Sequence, residues 1–200
     1  MNICIFGDSI TWGAFLPFRG AWANLLRNYL ESHNKIIAVY DLGIDANTSQ
    51  DLVKRFNSEA SVRKPSVIIF AVGLNDSAYR KSSDKSLVPL NQFKENLGEL
   101  IKQAGEYTTH IFFVGLAKGD DSKTKPLPRS TTGKCYTKEN ERIYNDAIKL
   151  VCKKKRVSFI EVFYLLKDED FDDGLHPNLG GHQKIFEAVR RTLLNSEAVV

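Results

Sequence analysis

Gly7-Asp8-Ser9, Leu42-Gly43-Ile44, Gly73-Leu74-Asn75-Asp76 and Asp172-Asp173-Gly174-Leu175-His176-Pro177 each follow an apolar run of the chain. Their residue types add up to one kind of chemistry. A serine hydroxyl is a weak nucleophile until a base takes its proton. That base needs an acidic partner to hold it, and the oxyanion formed at an attacked carbonyl needs hydrogen-bond donors. Serine, histidine, aspartate and donor-bearing turn residues are all present.

Such residues can act together only if the fold brings distant turns side by side. Short apolar runs rich in β-branched residues recur at 3–6, 36–40, 67–72, 111–114 and 157–162, and read as buried parallel strands. Between and after them, apolar residues fall at helical spacing at 21–30, 49–56, 90–101, 139–151 and 179–194. Strand and helix alternate, which calls for a parallel sheet covered by helices on both faces, because each parallel crossover needs a dozen or more residues. In open parallel sheets, ligands bind beyond the carboxyl ends of the strands, where the four clusters lie. The segment 119–133 breaks the pattern. It is polar, rich in Lys, Thr and Pro, and long enough to be a lid or binding loop.

The composition excludes several classes. In 200 residues there are 28 Lys+Arg and 24 Asp+Glu, a formal net charge of +4, with 42% apolar residues, as in an ordinary soluble globular protein with one core, so a single domain over 1–200 is expected. No apolar run approaches the ~20 residues of a bilayer span. The basic run 153–156 lies between a helical and a strand-like pattern and reads as a solvated corner, not a nucleic-acid patch. Cys4, Cys135 and Cys152 are odd in number and widely spaced, which suggests neither a disulfide framework nor a zinc site. Reduced thiols, and an N-terminus that enters an apolar strand without a basic or cleavable leader, lead to an expected cytoplasmic location. His33, His110 and His182 have no clustered carboxylate or Cys partners, so no metal is expected. Gly180-Gly181 lacks dinucleotide-loop spacing and no GxxxxGK[ST] occurs, so no cofactor is expected either.

Taken in order, Gly7-Asp8-Ser9, the glycine after the second strand, Gly73-x-Asn75-Asp76 and Asp173-x-x-His176-Pro177 resemble the blocks of the GDSL, or SGNH, hydrolase family. The resemblance runs from residue 7 to residue 177. It implies a flavodoxin-like three-layer α/β/α sandwich with a five-stranded parallel sheet, acting as a serine esterase, lipase or related acyl hydrolase on a small-molecule ester. It departs from the usual wording at Leu42-Gly43-Ile44-Asp45-Ala46-Asn47.

The chemistry of the residues agrees with these roles. Ser9, where strand gives way to turn, is the expected nucleophile, and Asp8 is expected to shape the turn. His176 is the expected general base and acid. Pro177 biases it toward an extended backbone that frees the ring to reach across the site. Asp173 and Asp172 compete to hold the imidazole, and the Asp-x-x-His spacing favours Asp173. The Ser9 and Gly43 backbone N–H groups and the Asn75 amide are the expected oxyanion donors. In a flavodoxin-like strand order, the turns after the first and third strands are neighbours, which brings Asn75 to Ser9.

For the substrate pocket, Trp12, Phe15, Phe18 and Trp22 follow Ser9 closely. Trp22 begins a helical pattern and is expected in the core. Trp12 and Phe15 precede that helix and are expected to contact the acyl or alcohol group, in a shallow pocket completed by the loop 119–133 that favours short acyl chains. An α/β-hydrolase is excluded by the lack of a Gly-x-Ser-x-Gly elbow. A non-catalytic flavodoxin-like module would need neither Asn75 nor the Asp173 and His176 pair. An acyltransferase, thioesterase or lysophospholipase, or a carbohydrate-binding relative on the same scaffold, is left open.

Overall fold

Five strands pair in parallel in the order β2-β1-β3-β6-β8, with β1 at Asn2–Gly7, β2 at Ala38–Gly43, β3 at Val67–Ala71, β6 at Ile111–Val114 and β8 at Ser158–Ile160. The computed structural model describes residues 1–17, 20–128, 130–196 and 198–199, so Phe18 lies outside the described residues. Alternation within each strand builds two cores. Cys4, Phe6, Ile68, Phe70, Ile111 and Phe113 face α3 (Ser49–Arg63), α5 (Leu90–Ala104) and α7 (Lys138–Lys155). Ile3, Ile5, Val67, Ile69, Phe112 and Val114 face α2 (Trp22–His33) and α8 (Leu179–Asn195). Both faces of the sheet are dry, which is why the strands read as continuous apolar runs. The three layers and the strand order are those expected of a flavodoxin-like fold. The order reverses between β1 and β3, so the turns after these two strands open at the same point.

The second strand sits two residues later than its apolar run suggests. Ile36 is 73% exposed, and pairing with β1 runs from Asn2↔Ala38 to Gly7↔Gly43. β2 is an edge strand, so Tyr40 and Asp41 are tolerated where a central strand would be apolar. α3 also continues past the apolar residues to Arg63, held at its start by a capping box between Thr48 and Asp51. The basic run 153–156 closes α7 on exposed side chains, where positive charge complements the helix dipole.

A second, antiparallel sheet of order β5-β4-β7 was not foreshadowed by the sequence pattern. It follows the short helix α4 (Leu74–Ser77) with β4 at Tyr79–Arg80 and β5 at Ser83–Ser86, and takes β7 from Lys134–Cys135. Two-residue strands carry no readable alternation. Within the polar segment 119–133, the short helix α6 (Asp121–Thr124) is tied down by buried Thr124. Its hydroxyl donates to the Tyr136 carbonyl at 2.9 Å and its carbonyl accepts the Tyr136 N–H at 3.0 Å.

Candidate active site

β1 ends at a glycine because nothing larger fits. A Cβ on Gly7 would stand 2.0 Å from the Thr11 hydroxyl oxygen and 2.9 Å from the Ala71 carbonyl. Asp8 then caps the short helix α1 (Ser9–Trp12), its carboxylate accepting the Ile10 N–H at 3.0 Å, which is the turn-shaping role expected of it. Burial pushes the Asp8 carboxyl up to about 7, against the pull of the Ile10 hydrogen bond and of His176. Ser9 is the first residue of the helix and is only 6% exposed.

Across the cavity, a 3-10 turn at Asp168–Asp170 and an isolated bridge between Phe171 and Pro177 fold the loop after β8 back over the sheet. Gly174, at φ +86, takes a conformation that side chains rarely adopt. The loop brings His176 Nε2 to 3.2 Å from Ser9 Oγ, although the residues are 167 apart in sequence. On the other side of the ring, Asp173 Oδ2 lies 2.8 Å from Nδ1. Asp173 Oδ1 accepts the backbone N–H groups of Leu175 and His176 at 2.9 and 2.7 Å. Burial alone would raise the Asp173 carboxyl, but the His176 ring and these N–H groups outweigh it and hold it at about 2. An ionised carboxylate at Nδ1 keeps the ring proton there and leaves Nε2 free to accept from Ser9. Asp172 is exposed and meets His176 only through its backbone N–H, which donates to the His176 carbonyl at 3.3 Å.

Ser9 and His176 open on a cavity of about 300 Å³, with Asn75 and Phe15 in its lining and with Leu127, Ser130, Thr131 and Thr132 as one wall. The polar segment therefore does border the site. Asn75, on α4 at the end of β3, stands beside Ser9 as the strand order requires. Its Nδ2 donates to the Asn47 carbonyl at 3.2 Å, leaving one N–H, and its Oδ1 accepts from the Tyr136 hydroxyl at 3.0 Å.

Gly43 does not meet its expectation. Its N–H already donates to Asp41 Oδ1 at 3.0 Å, and it is absent from the cavity lining. It is a glycine for another reason: a Cβ there would lie 2.4 Å from the Trp12 nitrogen and 3.0 Å from the Asp8 carbonyl. From this loop Asp45 and Ala46 line the cavity, Ala46 in the left-handed region at φ +59. The Ala46 N–H has no hydrogen-bond partner among the described residues and is free to donate.

Trp12 is the second correction. It is 57% exposed and faces a separate cavity with Asn24 and Asp41, because α1 turns it away from the Ser9 hydroxyl. Phe15, 62% exposed and at φ +66, does line the Ser9 cavity, its ring set edge-on to His176 with centroids 5.0 Å apart. Trp22 is in the core as expected.

Two residues that hold the site were missed. Asp76 is fully buried and takes the Ser49 N–H on both carboxylate oxygens at 3.0 Å, together with the Ser49 hydroxyl, to which Asn96 donates at 2.8 Å. It thereby ties α4 to the start of α3. Burial pushes its carboxyl up to about 6 despite the Ser49 bonds. Arg55 clamps the ends of β1 and β2, donating to the Gly7 and Leu42 carbonyls at 3.2 and 2.8 Å and to Asn47 Oδ1 at 2.8 Å. The adjacency of Asp76 to Asn75 was the only signal for the first. Arg55 looks in sequence like any polar helix residue.

This chain matches the model of the GDSL-like lipase/acylhydrolase family over residues 5–184. It is 24% identical to the GDSL esterase/lipase WDL1 of Oryza sativa subsp. japonica, over 96% of this chain and 77% of that protein. Among solved structures, the lipase/acylhydrolase from Enterococcus faecalis superposes with a TM-score of 0.78 at 20% identity, over 98% of this chain and 96% of that one. A catalytic mutant of an acetylxylan esterase from Geobacillus stearothermophilus superposes with a TM-score of 0.75 at 18% identity, over 95% and 92%. These two likenesses are of fold. The match over most of its length, on the blocks that carry Ser9, Asn75 and His176, means that the chain belongs to the GDSL-like lipase/acylhydrolase family and is a carboxylic ester hydrolase.

Proposed function

We propose that Ser9, His176 and Asp173 hydrolyse short-chain acyl or O-acetyl esters through an acyl-enzyme. The observation that carries this reading is the line from Ser9 Oγ through His176 to Asp173, at 3.2 and 2.8 Å, on the edge of a small cavity. Ser9 Oγ attacks the ester carbonyl carbon while its proton passes to His176 Nε2. The oxyanion is met by the N–H groups of Ser9 and Ala46 and by Asn75 Nδ2. The carbon–alkoxy bond then breaks, and the alcohol leaves with the proton from His176. Water attacks the Ser9 ester, giving its proton to His176. The carboxylic acid departs and the serine is restored.

The size of the cavity and its Ser130, Thr131 and Thr132 wall support small acyl groups and hydrated alcohols. O-acetyl ester cleavage is also the activity named for the Geobacillus protein. Three free, buried cysteines support work in the reducing cytoplasm.

The test is a panel of p-nitrophenyl esters of graded chain length, beside acetylated sugars and acyl-CoA thioesters, with the native chain and Ser9→Ala. Acetate and butyrate esters should turn over best, and Ser9→Ala should lose nearly all activity. More than about a tenth of native kcat in Ser9→Ala would remove it as the nucleophile, since loss of a nucleophile costs orders of magnitude more. Preference for thioesters would move the enzyme to another acyl-transfer class.

A further inference from the structure

Asn75 is held from behind by two donors outside the Ser9, His176 and Asp173 group. Besides the Tyr136 hydroxyl at 3.0 Å, the Lys134 Nζ lies 3.4 Å from its Oδ1. We propose that Tyr136 and Lys134 are positioning residues that lock the Asn75 amide with its nitrogen toward the cavity. The inference rests on the reading of Asn75 as an oxyanion donor.

The two ends of an asparagine amide are nearly the same shape, so packing alone does not choose between them. Hydrogen-bond partners choose. Oδ1 receives a hydroxyl and an ammonium while Nδ2 donates to the Asn47 carbonyl at 3.2 Å. Turned by 180°, the NH₂ would face two donors and the carbonyl oxygen would face both the Asn47 carbonyl and the developing negative charge. The Tyr136 hydroxyl could adapt by accepting, but the Lys134 ammonium cannot accept and the Asn47 carbonyl cannot donate, so those contacts would become repulsive. Charge on the Oδ1 side has a second effect. A donor on the carbonyl draws electrons from the amide nitrogen and makes its remaining N–H a stronger donor, as chained hydrogen bonds do in a low-dielectric site.

The scaffold is arranged to keep both donors in place. β7 pairs with β4 through Tyr79↔Cys135 and Arg80↔Lys134, and β4 begins two residues after the end of α4, which carries Asn75. Thr124 clamps the Tyr136 backbone on both sides. Tyr136 is 3% exposed, and burial pushes its phenol well above the usual range, so it stays a donor. Among the described residues, Lys134 has no carboxylate within ion-pair distance, which leaves its ammonium to the Asn75 carbonyl and the cavity.

The experiment is steady-state kinetics on p-nitrophenyl acetate with Asn75→Ala, Tyr136→Phe, Lys134→Met and Lys134→Arg, and with the first two combinations of Asn75→Ala plus Tyr136→Phe or Lys134→Met. Tyr136→Phe and Lys134→Met should each lower kcat about tenfold, part of the 10²- to 10³-fold that an oxyanion donor is worth, with KM within about twofold. Lys134→Arg should restore most of the loss. In the Asn75→Ala background neither substitution should lower kcat further, because the group they position is gone. Additive losses in that background, a loss confined to KM, or an unchanged kcat would overturn the proposal. If instead Asn75→Ala itself kept native kcat, the oxyanion reading would be the part that failed. Should Tyr136→Phe unfold, half-buried Lys134 carries the test alone through its Met and Arg variants.

Discussion

Both oxygens of the Asp173 carboxylate are turned to His176: Oδ2 lies 2.8 Å from the ring Nδ1, and Oδ1 accepts the His176 backbone N–H at 2.7 Å. One side chain thus fixes where the loop runs and which tautomer the ring adopts. Asp172, its neighbour, points into solvent.

Asp173→Asn should therefore lower kcat by about 10³- to 10⁴-fold, because an amide at Nδ1 favours the tautomer that cannot accept the serine proton. Its carbonyl oxygen can still take the backbone N–H groups, so the loop and the melting temperature should change little. Asp172→Asn should stay within about twofold of native kcat. Steady-state kinetics on one ester decide the matter, and greater damage from Asp172→Asn would mean that the ring is held from the other carboxylate.

The loop after β2 makes a paired prediction. Gly43→Ala places a methyl group 2.4 Å from the Trp12 nitrogen and 3.0 Å from the Asp8 carbonyl, all in the turn that carries Ser9. That turn must shift, so kcat should fall more than about tenfold and the melting temperature should drop. Ala46→Gly relieves a left-handed alanine at φ +59 and loosens the unfolded chain, two effects that offset to within about 1 kcal/mol. Activity should stay within about threefold. A fully active Gly43→Ala would show that the tight packing of Gly43 against Trp12 and Asp8 is not required.

These two positions also mark where sequence reading stopped. The strands were legible because Ile68, Phe70, Ile3 and Ile5 are buried on both faces of one sheet, and burial of that kind writes itself as uninterrupted apolar runs. Ser9 and Asn75 were legible because each stands in the turn that follows a strand, and His176 because of its spacing from Asp173 and its place before Pro177. The loop after β2 was not. A glycine after β2 looked like the donor, yet Gly43 is a spacer against Trp12, and the residues of this loop that line the cavity are Asp45 and Ala46, the latter held at a backbone angle that has no compositional signature. Tyr136 and Lys134 were hidden for a related reason. Their placement depends on a two-residue strand paired with another two-residue strand, and such pairings are tertiary facts that leave no period in the sequence.

His182 gives a prediction about stability rather than turnover. It is fully buried on α8, and its Nδ1 accepts the Trp22 N–H at 3.1 Å, capping α2 where Ala21 offers no side-chain cap. Burial, with a smaller push from His176, lowers its pKa to about 4. The folded state thus binds fewer protons than the unfolded one between the ordinary value near 6.5 and about 4, so acid favours unfolding across that window. Protonation would also remove the acceptor from Trp22. Urea unfolding at pH 7.5, 6 and 5 should show the native chain losing stability relative to His182→Asn, by up to about 3 kcal/mol once pH falls below 4. Parallel pH curves for the two proteins would refute it.

The two aromatic residues that follow Ser9 should separate cleanly in substrate selection. Phe15 forms part of the Ser9 cavity and meets His176 edge-on, whereas Trp12 opens on a cavity bounded by Asn24 and Asp41. A chain contact in an apolar pocket changes selectivity by only about 1–3 kcal/mol per methylene-sized change, so the effect is graded rather than absolute. Phe15→Ala should shift the ratio of kcat/KM for acetate against butyrate and octanoate esters by about tenfold or more, with longer chains gaining as the cavity widens. Trp12→Ala should leave the same ratios within about twofold. Leu127→Ala, which opens the wall opposite, should move them in the same direction as Phe15→Ala. If Trp12→Ala altered chain preference while Phe15→Ala did not, the acyl group would have to lie on the far side of α1, away from the space that Ser9 and His176 share.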